Sequence, residues 1–104
     1  MWKVTHTLNH AENILAAKRP LTDPVAAAKM EFLRGAAIGS GLLDAREELI
    51  SPTTLKKVFL WESEEKHAEF KARHAADLAV VRAALDAEAA AAGITTTAET
   101  GETN

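Results

Sequence analysis

The chain has 104 residues, a formal net charge of -3, a pI of about 5.8 and a hydrophobic fraction of 47%. This length is typical of one domain with a modest core, and the scattered Lys and Arg residues argue against a nucleic-acid partner. The absence of cysteine excludes disulfides, thiolate metal sites and a cysteine nucleophile. With no signal peptide and no apolar run of about 18 residues, we expect a soluble protein without a membrane partner, cytoplasmic or within a soluble particle.

Residues 2–8 alternate between apolar and polar side chains, which predicts a first strand. Its apolar face carries Trp2, Val4, His6 and Leu8. Asn9 followed by Glu12 resembles a capping box, so a short helix is expected before Pro20.

A second helix is predicted to start where Asp23 precedes Pro24, because proline is favoured at the first helical position. Its predicted apolar face consists of Val25, Ala28, Phe32 and Leu33. Gly39 or Gly41 is expected to end it.

Residues 42–50 either prolong this helix or form a strand. Residues 51–53 have the composition of a turn, and the strand predicted after them needs a partner for its backbone groups. We therefore favour a hairpin of 42–50 with 54–61. The side chains expected to face each other across it are Arg46, Glu47 and Glu48 on one strand and Lys56 and Lys57 on the other.

The last helix is predicted to run from Glu64 to about Ala92, with Ser63 as its cap and Gly93 as its stop. Its apolar stripe comprises His67, Phe70, His74, Leu78, Val81 and Leu85. The alanine-rich second half is expected to lie partly at a subunit boundary. We take residues 1–93 as a single α+β domain, followed by a Thr-rich tail or edge strand over residues 94–104.

The order strand, helix, hairpin, helix and final strand resembles the ferredoxin-like βαββαβ plan. The segment VFLWESEEKHAEF, residues 58–70, resembles the junction between the third strand and the second helix in the antibiotic biosynthesis monooxygenase family. The match extends from Gly41 to Phe70.

The resemblance implies a dimeric α+β barrel in which the sheets of two chains pack together. It also implies that a small apolar ligand enters between each sheet and its helices. Family activities include cofactor-free oxidation of aromatic polyketides and haem degradation. The helix positions that carry tryptophan and histidine in the haem branch hold Phe70 and Val80 here, and the chain has no tyrosine.

Three histidines, His6, His67 and His74, are the candidate acid–base residues, and Trp61 and Phe70 are the candidate ligand-binding residues. In each case the more common alternative is a packing role at the margin of a core. His67 and His74 are two turns apart, which is further than two ligands of one metal ion would be, so we expect no metal site. We also expect no cofactor.

The remaining charged residues are interpreted as structural. Glu64 and Glu65 complement the dipole at the start of the last helix, and Lys56 and Lys57 are taken as solvated or paired surface charges.

Two functions remain open. The first is a non-catalytic module that oligomerises as a structural component of a larger assembly, such as a virion or cage-like particle, with other chains as partners. The second is a small-ligand-binding α+β barrel protein, with cofactor-independent oxygenation as a candidate activity, in which His6, His67 and Trp61 line one cavity. The missing tyrosine and the long helix favour the first, and the junction after Trp61 favours the second.

Overall fold

The computed structural model describes residues 1–103, which form one antiparallel sheet and four helices. In chain order the elements are β1 (Trp2–Asn9), α1 (Ile14–Ala17), α2 (Pro24–Ile38), β2 (Leu42–Ser51), β3 (Thr54–Trp61), α3 (Glu64–Arg73), α4 (Ala75–Ala92) and β4 (Thr95–Glu102). The predicted βαββαβ order is confirmed, with each helical connection divided in two.

The strands lie in the order β2-β3-β1-β4, and each neighbouring pair is antiparallel. This is the ferredoxin-like arrangement. The predicted hairpin is confirmed, with Glu47 opposite Lys57 and Glu48 opposite Lys56. Residues 42–51 form a strand rather than a helical extension because their backbone completes the hydrogen bonding of β3. At the other side of the sheet, β4 is an edge strand paired with β1.

The two faces of the sheet have different surroundings. Val4, Phe59 and Trp61 point to the face on which α2, α3 and α4 pack, and we call this the inner face. Side chains alternate along a strand, so Val58 and Leu60 point to the opposite, outer face. The three longer helices all pack on the inner face, so within residues 1–103 none of them covers the outer face, where Val58 is nevertheless buried and Leu60 is half-buried.

The core lies between the inner face and the helices. Its buried members are Val4, Leu33, Ala37, Trp61, Phe70 and Val81. The apolar stripe predicted for the last helix is confirmed, since Phe70 and Val81 are each 6% exposed and Leu78 and Leu85 pack against the cluster.

The predicted apolar face of α2 is wrong except for Leu33. Val25 is 60% exposed and Phe32 is 58% exposed, whereas the helix buries Ala26, Leu33 and Ala37. Small side chains at a helix contact allow two helix axes to come closer together. The helix is thus rotated about its axis relative to the prediction. We attribute this rotation of α2 to its contact with α4, and an ion pair of 2.7 Å between Lys29 and Asp77 also joins the two helices.

Three of the predicted helix boundaries are confirmed. The carboxylate of Asp23 accepts hydrogen bonds from the backbone N–H groups of Val25 and Ala26 at 2.9 and 3.3 Å. The hydroxyl of Ser63 caps α3, and Gly93 ends α4 with a φ of 72°, a conformation that favours glycine.

The capping box predicted at Asn9 and Glu12 is wrong. Asn9 belongs to β1, because its backbone is paired with β3 on one side and β4 on the other. Asn13 caps the short helix α1 instead, accepting from the N–H of Ala16 at 3.1 Å. His10 supports this turn through Nδ1, which accepts the N–H groups of Glu12 and Asn13.

The continuous helix predicted over residues 64–92 is divided at His74, whose φ and ψ are -114° and 24°. At 1.5 Å per residue α4 is about 27 Å long, close to the length of an eight-residue strand at about 3.4 Å per residue. The break therefore keeps α4 within the length of the sheet, and both Phe70 and Val81 reach the core. Within residues 1–103, no helix is both long and apolar enough to cross a membrane.

Candidate functional site

An open cleft of about 800 Å³ lies between α2, α3, α4 and the β2–β3 half of the inner face. Its apolar lining residues are Met30, Leu33, Ala37, Ile38, Leu42, Leu43, Ala45, Phe59, Trp61, Phe70, Leu78 and Val81. The volume lies within the roughly 300–1,000 Å³ of small-molecule sites, which are lined mainly by apolar and aromatic side chains. The cleft exists because α2 covers the sheet only partly and leaves most of β2 exposed.

Trp61 is the central aromatic residue of the cleft wall. Its ring centroid lies 5.1 Å from that of Phe70 and 5.0 Å from that of His67, with interplanar angles of 41° and 42°. Phe70 in turn lies 4.8 Å from His74. Aromatic pairs within about 7 Å stabilise one another beyond the area they bury, so these contacts hold the wall in place.

The structure separates the two groups of candidate residues. Trp61 and Phe70 line the cleft, but His6, His67 and His74 do not. His67 and His74 lie beside its aromatic wall, and the ring of His6 is 5.8 Å from that of Phe59. The expectation that His6, His67 and Trp61 line one cavity therefore does not hold for this cleft, because only Trp61 is among its lining residues and the two histidines are half-buried outside it.

The surroundings of His6 and His67 disfavour the protonated form of each imidazole. Burial lowers the pKa of His6, and the positive charges of Arg82 and Lys57 lower this pKa further. Burial also lowers the pKa of His67, with smaller contributions from Lys71 and His6. A neutral imidazole packs against aromatic rings at a smaller desolvation cost than an imidazolium, which favours a packing role.

These shifts predict that the free energy of unfolding decreases as the pH falls from about 7.5 through the lowered pKa values of the folded state. In the unfolded chain both histidines return to about 6.5, so below that pH the unfolded state binds more protons. Urea unfolding at a series of pH values checks this expectation. The double variant His6→Gln/His67→Gln should show a shallower dependence between pH 7.5 and 5.5, and an unchanged slope would contradict it.

Lys57 is a cleft residue that the sequence interpretation missed. It lies within β3 on the inner face, two residues from Phe59, and its side chain is half-buried, whereas Lys56 points to the outer face. Burial lowers the pKa of Lys57, and Lys18, Arg34 and Arg82 act in the same direction against the opposing effect of Glu47. The signal was present in the alternation of residues 55–61, which places Lys57 among apolar side chains.

Residues 1–103 contain no group of three or more His, Asp or Glu side chains arranged to hold a metal ion. What the cleft offers chemically is an apolar, aromatic wall with a few charged side chains at one side. These charged lining residues are Arg34, Asp44, Arg46, Glu47 and Lys57.

Comparison with solved structures supports the assignment of the fold. A candidate antibiotic biosynthesis monooxygenase from Deinococcus radiodurans is 19% identical, with a TM-score of 0.51 over 100% of this chain and 93% of that one. A dimeric ferredoxin-like protein from an uncultured marine organism is 9% identical, with a TM-score of 0.63 over 97% and 91%. SnoaB, a cofactor-independent oxygenase from Streptomyces nogalater, is 6% identical, with a TM-score of 0.53 over 99% and 92%.

No protein-family model matches the sequence, and no curated protein is significantly similar to it. The solved structures nevertheless include antibiotic biosynthesis monooxygenase-like and dimeric ferredoxin-like proteins. The resemblance noted at Gly41 to Phe70 is thus confirmed at the level of the fold.

Proposed function

We propose that this protein is a homodimer that binds a small, largely apolar ligand in the cleft of each protomer. The observation that carries the proposal is the cleft itself, a volume of about 800 Å³ lined mainly by apolar side chains, among them the half-buried Phe59 and the largely buried Trp61 and Phe70. Burial of apolar ligand area contributes roughly 25 cal/mol per Å² before the costs of association. A flat aromatic molecule fits both the shape and the chemistry of such a wall.

A neutral aromatic compound, naphthalenemethanol, tests this proposal. We expect saturable binding, followed by calorimetry and by chemical-shift changes of the cleft residues. Ala45 is exposed on the inner face of β2 and lines the cleft, so Ala45→Trp should fill the site and abolish binding. Ala83→Trp, a substitution at an exposed position of α4 outside the cleft, is the matched control and should bind normally. No binding to the wild-type chain, or equal binding by both variants, would refute the proposal.

The dimer is supported by the uncovered outer face of the sheet and by the similar structures described as dimeric ferredoxin-like proteins. Packing the outer faces of two sheets together would give each sheet a second covered side. These observations support a ligand-binding dimer better than a structural component of a larger assembly, the first function suggested by the sequence.

Cofactor-independent oxygenation of the bound ligand is a second candidate, favoured by the similarity of the fold to SnoaB. Anthrone is a suitable substrate, since its central methylene group is oxidised by one molecule of O₂ to anthraquinone with release of water. Oxygen consumption that is lost in Ala45→Trp but kept in Ala83→Trp would support the activity. Binding of anthrone without any increase in the rate of oxygen uptake would leave the protein as a binding protein only.

A further inference from the structure

The charged residues at the cleft do not balance one another. Asp44, Arg46 and Glu48 alternate along β2 and form their own network, in which Arg46 lies 2.8 Å from Asp44 and 2.9 Å from Glu48. Asp44 and Arg46 border the cleft, but Arg46 is opposite Val58 in the sheet, so the network points to the outer face and its charges are paired with one another. It does not neutralise the cations on the inner side.

The other carboxylate that lines the cleft, on the inner side, already has a partner. Glu47 forms an ion pair with Lys18, at 2.5 Å. Lys57 lies opposite Glu47 in the sheet register but has no acidic group within ion-pair distance in residues 1–103. Arg34 is 66% exposed at the mouth of the cleft, and its ion pair with Glu31 is long, at 4.0 Å.

The inner side therefore carries one half-buried cation, Lys57, without an ion pair in residues 1–103, and one exposed cation, Arg34, with only a long one. Lys18, Arg34 and Arg82 are near enough to lower the pKa of Lys57, and only Glu47 opposes them, so positive groups outnumber negative ones around Lys57 despite the net charge of -3 for the whole chain. Keeping an ammonium group half-buried costs free energy unless an anion compensates it. The apolar wall of Trp61 and Phe70 lies in the same cleft.

We propose that the cleft binds a small organic carboxylate, with its carboxyl group held by Lys57 and Arg34 and its apolar body packed against Trp61 and Phe70. This inference rests on the proposed function and narrows its ligand to an amphiphilic anion. A carboxylate suits the site better than a phosphate does, because its two oxygens match one ammonium and one guanidinium, whereas the third terminal oxygen of a phosphate would have no cationic partner. The planar guanidinium of Arg34 can also pair with both carboxylate oxygens.

Two probes with the same ring system separate charge from apolar contact. Naphthoate carries a carboxylate, whereas naphthamide is its neutral counterpart of nearly the same shape. We expect the wild-type chain to bind naphthoate about 10- to 100-fold more tightly than naphthamide at low ionic strength, the range for a hydrogen-bonded charged group. The preference should shrink in about 1 M salt, where the screening length is about 3 Å.

Lys57→Met is the decisive variant, because methionine keeps the apolar stem and removes the charge. It should lose the preference for naphthoate while retaining its affinity for naphthamide, and Lys57→Arg should keep the preference. Lys56→Met is the matched control, since Lys56 is the neighbouring lysine on the outer face, and the preference should persist there. Preserved naphthamide affinity in Lys57→Met shows that the variant is folded.

Failure of the carboxylate inference and failure of the proposed ligand site give different binding results. Equal affinity of the wild-type chain for the two probes, or an unchanged preference in Lys57→Met, would overturn the inference and leave the apolar cleft in place. Binding of neither probe would overturn the proposed function together with the inference. Displacement of naphthoate by inorganic phosphate at matched ionic strength would overturn the choice of a carboxylate.

Discussion

Truncation of Trp61 to alanine is expected to lower the free energy of unfolding by about 3–5 kcal/mol, the range for large aromatic side chains in a core. Trp61 is 4% exposed, and its ring contacts both Phe70 and His67. For a domain of this size the loss corresponds to a decrease in Tm of more than about 12 °C. Urea and thermal unfolding, followed by circular dichroism, measure both quantities.

Phe32→Ala is the control for this prediction, because it truncates an aromatic side chain that is 58% exposed on α2. Its cost should be under about 1 kcal/mol. Trp61→Phe, which keeps an aromatic ring, should fall between the two. If Phe32→Ala destabilises the chain as much as Trp61→Ala, Phe32 must be buried, and the assignment of the buried face of α2 to Ala26, Leu33 and Ala37 would be incorrect.

The second large effect is expected on oligomerisation. Leu60 points to the outer face of β3, between Lys3 of β1 and Asp44 of β2. In Leu60→Lys the new ammonium would be repelled by Lys3 on one side and attracted by Asp44 on the other, so within one sheet the two effects oppose each other and the protomer should fold. At an interface between two outer faces the same charge would be buried at a cost of several kcal/mol. We expect the dissociation constant of the dimer to rise by at least about 100-fold, since each 1.4 kcal/mol is a factor of ten.

Analytical ultracentrifugation across a concentration series measures this change. Val80→Lys is the informative control, because Val80 is 41% exposed on α4, where the sequence suggested a subunit boundary. A dimer that survives Val80→Lys but dissociates in Leu60→Lys has the outer face as its interface. Dissociation in Val80→Lys alone would place the interface on α4, and assembly far beyond a dimer in the wild-type chain would favour the structural module instead.

Much of the secondary structure could be predicted from local signals. The caps at Asp23 and Ser63, the stop at Gly93 and the alternation in β1 each depend on residues close in sequence, and each is confirmed. The hairpin was predictable for a different reason, because a half-buried strand needs a partner for its backbone groups. The errors at Asn9 and in the rotation of α2 arose where pairing and packing with distant segments outweighed local preferences.

The candidate site was predicted less completely. Trp61 and Phe70 were identified because aromatic residues at a strand end and on a helical stripe share one side of a layer. The histidines could not be assigned, since the periodicity that places them beside apolar residues does not show whether they reach the cleft, and none of them lines it. Lys57 was missed because a pair of adjacent lysines looks like solvated charge, although the alternation of β3 sends them to opposite faces.

The sequence by itself determined the first strand and its apolar face, the start of α2 at Asp23 and the junction of β3 with a capped helix at Ser63. These properties depend on short-range periodicity and on backbone conformation, which a few neighbouring residues decide. Only the tertiary structure decided the break at His74, the rotation of α2 and the cleft in which Lys57 lies beside Trp61 and Phe70. The physical reason is that such features balance burial, helix contacts and charge between residues far apart in the chain.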